Sequence, residues 1–98
     1  MYKICDLKVI GYEEGDGRLK GTLGTLFVDY KGNRVGVGIG FTDEQRTLIW
    51  ANKDNIEEGT IIEVKYKEVI KDKKIGLESL QFPVFVGIRN DKTEPSYN

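Results

Sequence analysis

Hydrophobic and polar positions alternate along most of this chain with the period of strands. Across residues 5–12, Leu7 and Val9, with Ile10 less regularly, predict a first strand. The polar, Gly-rich run Glu13-Glu14-Gly15-Asp16-Gly17 then interrupts it. Thr22 to Tyr30 is rich in β-branched and aromatic residues and predicts a second strand. Lys31-Gly32-Asn33 predicts a tight hairpin turning on Gly32-Asn33, a pair that tolerates positive φ. The third strand, Arg34 to Gly40, alternates strictly, with Val35, Val37 and Ile39 on one face and only glycines on the other.

The period then changes. Thr42-Asp43-Glu44-Gln45 fits a capping box and predicts a helix over residues 43–51, with Leu48 turned inward and Ile49 or Trp50 sharing the contact. Thr60 to Ile70 alternates again, with Ile62, Val64 and Tyr66 on one face, and predicts the longest strand. Residues 71–74 read as a hairpin loop, and 82–89 as a last strand whose Pro83 belongs at a start or an edge.

Five strands with one short helix between the third and fourth is the order of the OB-fold, a five-stranded Greek-key barrel in an all-β class. An SH3-like barrel is the rival, and it rarely carries a helix there. The glycine face of the third strand suits a strongly curved sheet. The whole chain, residues 1–98, reads as one domain, with 1–4 as a linker remnant and 90–98 as a loose tail.

Composition narrows the function. Ninety-eight residues leave room for one core. Fifteen Lys and Arg against 16 Asp and Glu give a net charge of -1, so any hold on phosphate must come from a local patch. The absence of histidine removes the commonest general base and most zinc sites. A lone cysteine, Cys5, reads as a small buried residue. No apolar run approaches a membrane span and no signal peptide opens the chain, so a cytoplasmic, monomeric protein with no membrane partner is expected.

Candidate chemistry is sparse. Gly36-Val37-Gly38-Ile39-Gly40 fails the dinucleotide pattern, because Phe41 and Asp43 stand where the third glycine belongs. Carboxylate pairs such as Glu13-Glu14 and Glu57-Glu58 flank turns and read as solvated charge. Phe41 and Trp50 read first as core and second as base-stacking platforms. Five lysines between Lys65 and Lys74 face only Glu68 and Asp72, a surplus suited to tracking a phosphate backbone. Arg89 and Lys92 bracket Asn90-Asp91, and a guanidinium beside an ammonium suits a polyphosphate.

Four segments in order carry a resemblance: 6–15 (DLKVIGYEEG), 20–26 (KGTLGTL), 38–46 (GIGFTDEQR) and Phe82-Pro83-Val84-Phe85 with Arg89 to Pro95. Over residues 2–97 the series resembles the C-terminal OB-fold domain of ATP-dependent DNA ligases of bacterial and phage type. The resemblance implies that Arg89, Asp91 and Lys92 assist adenylylation by orienting the triphosphate for a separate nucleotidyltransferase domain of the same polypeptide. It also implies contact with nicked double-stranded DNA in repair and replication, with Phe41 and Thr42 near the DNA side; by their charge alone, Lys71, Lys73 and Lys74 would track its phosphate backbone. ATP and Mg²⁺ would serve the parent ligase, with no cofactor in this domain. The chain has no Lys-x-Asp-Gly nucleophile motif, so it is not expected to turn over alone. Two other readings stay open. A free-standing single-strand binder would expose aromatics such as Phe27, Tyr30 or Tyr66, and a protein-interaction barrel would show an unbroken apolar patch.

Overall fold

Twelve residues of alternating character, Lys3–Glu14, form the strand on which the rest of the molecule is built. The computed structural model describes residues 1–97. In chain order the elements are β1 (Lys3–Glu14), β2 (Leu23–Tyr30), β3 (Asn33–Val37), α1 (Asp43–Ala51), β4 (Ile61–Tyr66), β5 (Val69–Lys71), β6 (Glu78–Leu80) and β7 (Val84–Ile88). One antiparallel sheet runs β3-β2-β1-β4-β7, and β5-β6 forms a small hairpin.

β1 serves two neighbours because it bends. Lys3 to Lys8 pair with β4, and Lys8 to Glu14 pair with β2. The register slips between Val9 and Gly11 and again between Glu13 and Glu14, bulges that coil the sheet around its inner face. That face buries Cys5, Leu7, Val9, Leu26, Val28, Val37, Ile62 and Val64 completely. The architecture is an OB-fold with α1 between the third and fourth strands, as expected. The sheet curls until the Phe85 amide donates to Ile39 O (2.8 Å). β3 and β7 remain its two edges, so the barrel is not closed.

Five local expectations need correction. The hairpin turns one residue early: Lys31 (φ 51°) and Gly32 (φ 89°) take the positive-φ positions, and Asn33 begins β3. The third strand stops at Val37, leaving Ile39 exposed, because Gly40 (φ 100°) swings the chain against β7. A Cβ at Gly40 would strike Phe85 O, so only glycine permits this approach. The long fourth strand breaks after Tyr66, where Lys67 donates to Gln81 O (2.9 Å) and Gln81 to Glu68 O (2.8 Å). Beyond the break lies β5, paired with β6 in a hairpin that no periodicity announces, since neither strand buries an alternating face. The last strand starts at Val84, because Phe82 (φ 51°) is turned outward.

The fifth correction concerns α1. Thr42 and Gln45 do form the predicted capping box, with Gln45 N on Thr42 Oγ1 (3.1 Å) and Thr42 N on Gln45 Oε1 (2.8 Å). Its inward residues, however, are Arg46 and Ile49, while Leu48 stands exposed. Arg46 takes the inward place because its guanidinium meets carbonyls that would otherwise be orphaned: Leu23 O (2.8 Å), Gly24 O (2.9 Å) and Gly38 O (2.9 Å).

Residues 90–97 are not loose. Asp6 and Ser96 exchange backbone hydrogen bonds at 2.8 Å each way, and Tyr97 packs edge-on against Tyr30. The expected linker remnant likewise contributes Lys3 and Ile4 to β1. No helix among the described residues is long and apolar enough to cross a membrane.

Candidate functional site

Side chains on β1 alternate, so Cys5 and Leu7 point into the core while Asp6 points to the outer face. Asp6 is nevertheless buried, at 3% exposure, because the segment after β7 crosses over it. Asp6 lies directly across from Glu63 of β4. Two neighbouring carboxylates, one of them out of water, require cations.

Arg89 and Lys92 supply them. Arg89 follows β7 and is pinned by its amide to Ile61 O (2.8 Å). Its Nη1 donates to Asp6 Oδ1 (3.2 Å) and Oδ2 (3.3 Å) and lies 3.5 Å from Glu63 Oε1. Lys92 closes a turn onto Arg89 O (3.3 Å) and brings its Nζ to Asp6 Oδ2 at 2.7 Å. Asp91 completes the cluster from the solvent side, accepting from Arg89 Nε (3.3 Å) and Nη2 (3.4 Å). The hydrogen bond from Arg89 holds the Asp91 carboxyl below the usual carboxylate range. In return Asp91, with Asp6 and Glu63, raises the Arg89 guanidinium further.

The structure therefore brings together all three residues expected at a triphosphate, Arg89, Asp91 and Lys92. It adds Asp6, which sequence reading missed. The available signal was an acidic residue inside an otherwise apolar strand stretch, Cys5-Asp6-Leu7. A cleft of about 280 Å³ opens beside the cluster, with Thr60, Asn90 and Glu58 among its walls. Arg89 and Lys92 line it, and each keeps 31% of its side chain exposed.

The other expected residues lie elsewhere. Phe41 stacks on Phe85 (4.2 Å, 16° between planes), with the Arg46 guanidinium 5.0 Å from its centroid, so much of its ring is core. The Thr42 hydroxyl is spent on the capping box. Lys71, Lys73 and Lys74 sit on the β5–β6 hairpin, all exposed. None of the three makes an ion pair among the described residues. Asp72 folds that hairpin tip, accepting from Lys74 N (2.8 Å) and Ile75 N (3.3 Å). Asn33 Nδ2 ties it to the sheet through Glu78 O (2.8 Å).

The aromatic face required of a single-strand binder is not built as expected. Tyr30 and Tyr66 are each only 2% exposed, and the Arg34 guanidinium covers Phe27 at 3.9 Å. Among the described residues, no group of three or more His, Cys, Asp or Glu side chains is placed to hold a metal ion.

Comparison with known proteins agrees with this fold. The sequence matches the DNA ligase OB-like domain family over residues 14–89. A DNA ligase of Natronomonas pharaonis is 36% identical over 106 aligned residues, covering 90% of this chain and 19% of the ligase. The chain thus spans about a fifth of the length of the DNA ligase relatives it matches. The solved structure called Pmar-Lig_Pre superposes with a TM-score of 0.79 at 33% identity, over 94% of this chain and 22% of its own. Chlorella virus DNA ligase-adenylate superposes with a TM-score of 0.69 at 28% identity, over 90% of this chain and 30% of its own. With the family match spanning well over half of its residues, this chain belongs to the DNA ligase OB-like domain family.

Proposed function

We propose that this chain is the OB module of an ATP-dependent DNA ligase. In this reading it assists transfer of AMP to a separate nucleotidyltransferase domain of the same polypeptide and then helps hold nicked duplex DNA. The observation that carries the reading is the pairing of Arg89 and Lys92 on one carboxylate at the mouth of a cleft. Two cations already converged on an oxyanion are arranged as a polyphosphate requires.

When AMP is transferred, negative charge builds on the departing β- and γ-phosphates. Preplaced donors stabilise that charge without reorganising as it develops. Arg89 would meet it as a planar fork and Lys92 as a point charge. Asp91 holds the Nε and Nη2 edge of that fork until phosphate takes its place. ATP is the substrate of this step, and Mg²⁺ would accompany it in the parent ligase.

DNA contact is assigned to the exposed hairpin lysines, Lys71, Lys73 and Lys74, with Phe41 and Thr42 contributing at the head of α1. Such contacts to backbone phosphate are independent of sequence, which suits an enzyme that must seal any nick.

The test separates the two steps in the ligase that carries this domain. Arg89→Ala should slow adenylylation about 100-fold, the range for removing one preorganised donor to a developing oxyanion. Sealing of nicks already carrying AMP should stay within a few-fold of wild type. Equal loss of both steps would refute the assignment of Arg89.

A further inference from the structure

The Arg89–Lys92 pair has a buried partner to which no role has been assigned. Building on the reading of Arg89 and Lys92 as polyphosphate ligands, we propose that Asp6 is their positioning residue. It is a fixed internal anion that aims both cations at the cleft and stays bound to them when phosphate arrives.

The carboxylates around Arg89 differ in kind. Asp91 has 72% of its side chain exposed, so water can replace Arg89 as its partner at little cost. Asp6 has 4% of its side chain exposed and sits on the central strand, where no water can take the place of its cations. Its backbone is locked on both sides, by β4 across the sheet and by the paired hydrogen bonds to Ser96. A phosphate cannot strip Arg89 and Lys92 from Asp6 without leaving that carboxylate bare inside the protein.

The donor edges divide accordingly. Arg89 Nη1 and Lys92 Nζ face Asp6, which fixes where the two side chains end. The Nε and Nη2 edge of Arg89 faces outward to Asp91, and this is the fork a phosphate would take over. Lys92 keeps two further N–H donors for the cleft beyond the one given to Asp6. Glu63, 3.5 Å from Nη1, is a weaker second anchor and is partly exposed.

This division predicts a sign opposite to simple charge counting. Removing a negative charge beside two cations should by Coulomb's law tighten anion binding. Removing an anchor should loosen it, because Arg89 and Lys92 would then lose side-chain entropy on reaching the phosphate.

The experiment is titration of the isotopically labelled 98-residue chain with inorganic pyrophosphate, for wild type and Asp6→Asn. Asn preserves shape and one acceptor oxygen. The expected result is binding about tenfold weaker in Asp6→Asn, the low end of the loss seen when a carboxylate behind a ligating side chain is removed. Equal or tighter binding by a folded Asp6→Asn would overturn the role of Asp6 while leaving Arg89 and Lys92 as phosphate ligands. If wild type itself shows no pyrophosphate binding at millimolar levels, the phosphate reading of Arg89 and Lys92 falls, and this inference falls with it. Should Asp6→Asn fail to fold, the wild-type titration decides. Pyrophosphate should shift the Arg89 Nε–H signal and leave the Asp6 side-chain carboxyl carbon in place. Movement of both together would mean that phosphate displaces Asp6, and the anchor role would be refuted.

Discussion

Two basic clusters of this molecule look alike in sequence and differ completely in structure. At one end Arg89 and Lys92 are drawn onto a buried carboxylate, a third exposed and fixed in direction. At the other end Lys71, Lys73 and Lys74 project from a two-stranded hairpin, with no ion pair among the described residues. The first arrangement suits a ligand that must be held in one geometry while charge develops on it. The second suits a polyanion whose phosphates need only be neutralised, wherever they fall. Position relative to a buried anion, rather than the number of charges, separates the two arrangements.

The contrast is broken most directly at Asp6. Asp6→Ala strands two partly buried cations and should lower unfolding free energy by about 2 kcal/mol. That is below the roughly 3 to 5 kcal/mol for splitting a fully buried pair, because Arg89 and Lys92 can turn back to water. Asp72→Ala, which removes the carboxylate at the hairpin tip, should cost under about 1 kcal/mol. Urea denaturation of both variants checks the pair, and equal losses would mean that the two ends are equally structural.

The hairpin is tested by charge rather than by stability. Changing Lys71, Lys73 and Lys74 together to Gln should leave the urea midpoint unchanged. Nicked-duplex affinity should fall roughly tenfold at low salt, with a salt slope shallower by about 2 to 3. An unchanged slope would make that hairpin solvated surface and nothing more.

A smaller effect sharpens the view of β1, whose Cys5 lies next to Asp6 on the opposite face. Burial, aided by the Asp6 charge, pushes the Cys5 thiol up to about 12 from an ordinary 9.0. The folded state therefore disfavours the thiolate. Stability is fully present below pH 9 and is lost as the pH rises toward 12, by about 1 kcal/mol near pH 10. Tyr30 and Tyr66, also raised by burial, add loss in the same direction from about pH 10 upward. Cys5→Ala should delete the part that begins near pH 9, and alkaline thermal melts of the two proteins measure it.

How far the sequence could be read depends on the range over which each signal acts. Helix limits were legible because Thr42 and Gln45 are a local signal that packing did not have to confirm. The inner faces of β1 and β4, and Val35 and Val37 of β3, were legible because a buried face forces alternation. β6 was not, since Glu78–Leu80 pairs only with an exposed three-residue strand and carries no period. At the site, the Arg89-Asn90-Asp91-Lys92 spacing was visible along the chain. Asp6 stands 83 residues from Arg89, and only the β1–β4–β7 order brings them together.

Leu48 shows the same limit on a smaller scale and gives the mildest prediction. A two-and-a-half-turn helix with Leu48, Ile49 and Trp50 in a row offers three ways to face the sheet, and apolar character alone does not choose. Arg46 chooses. Its guanidinium is the one group on α1 that can satisfy three carbonyls at the edge of β2 and after β3, and seating it there fixes the helix rotation. Ile49, three residues on, then falls inside and Leu48 falls outside, 62% exposed. Ile49→Ala should cost about 2 to 3 kcal/mol. Leu48→Gln should change stability by less than about 0.5 kcal/mol, as for other surface substitutions. A loss above about 1 kcal/mol at Leu48, by urea denaturation, would mean that the apolar row rather than the buried arginine sets the rotation of α1.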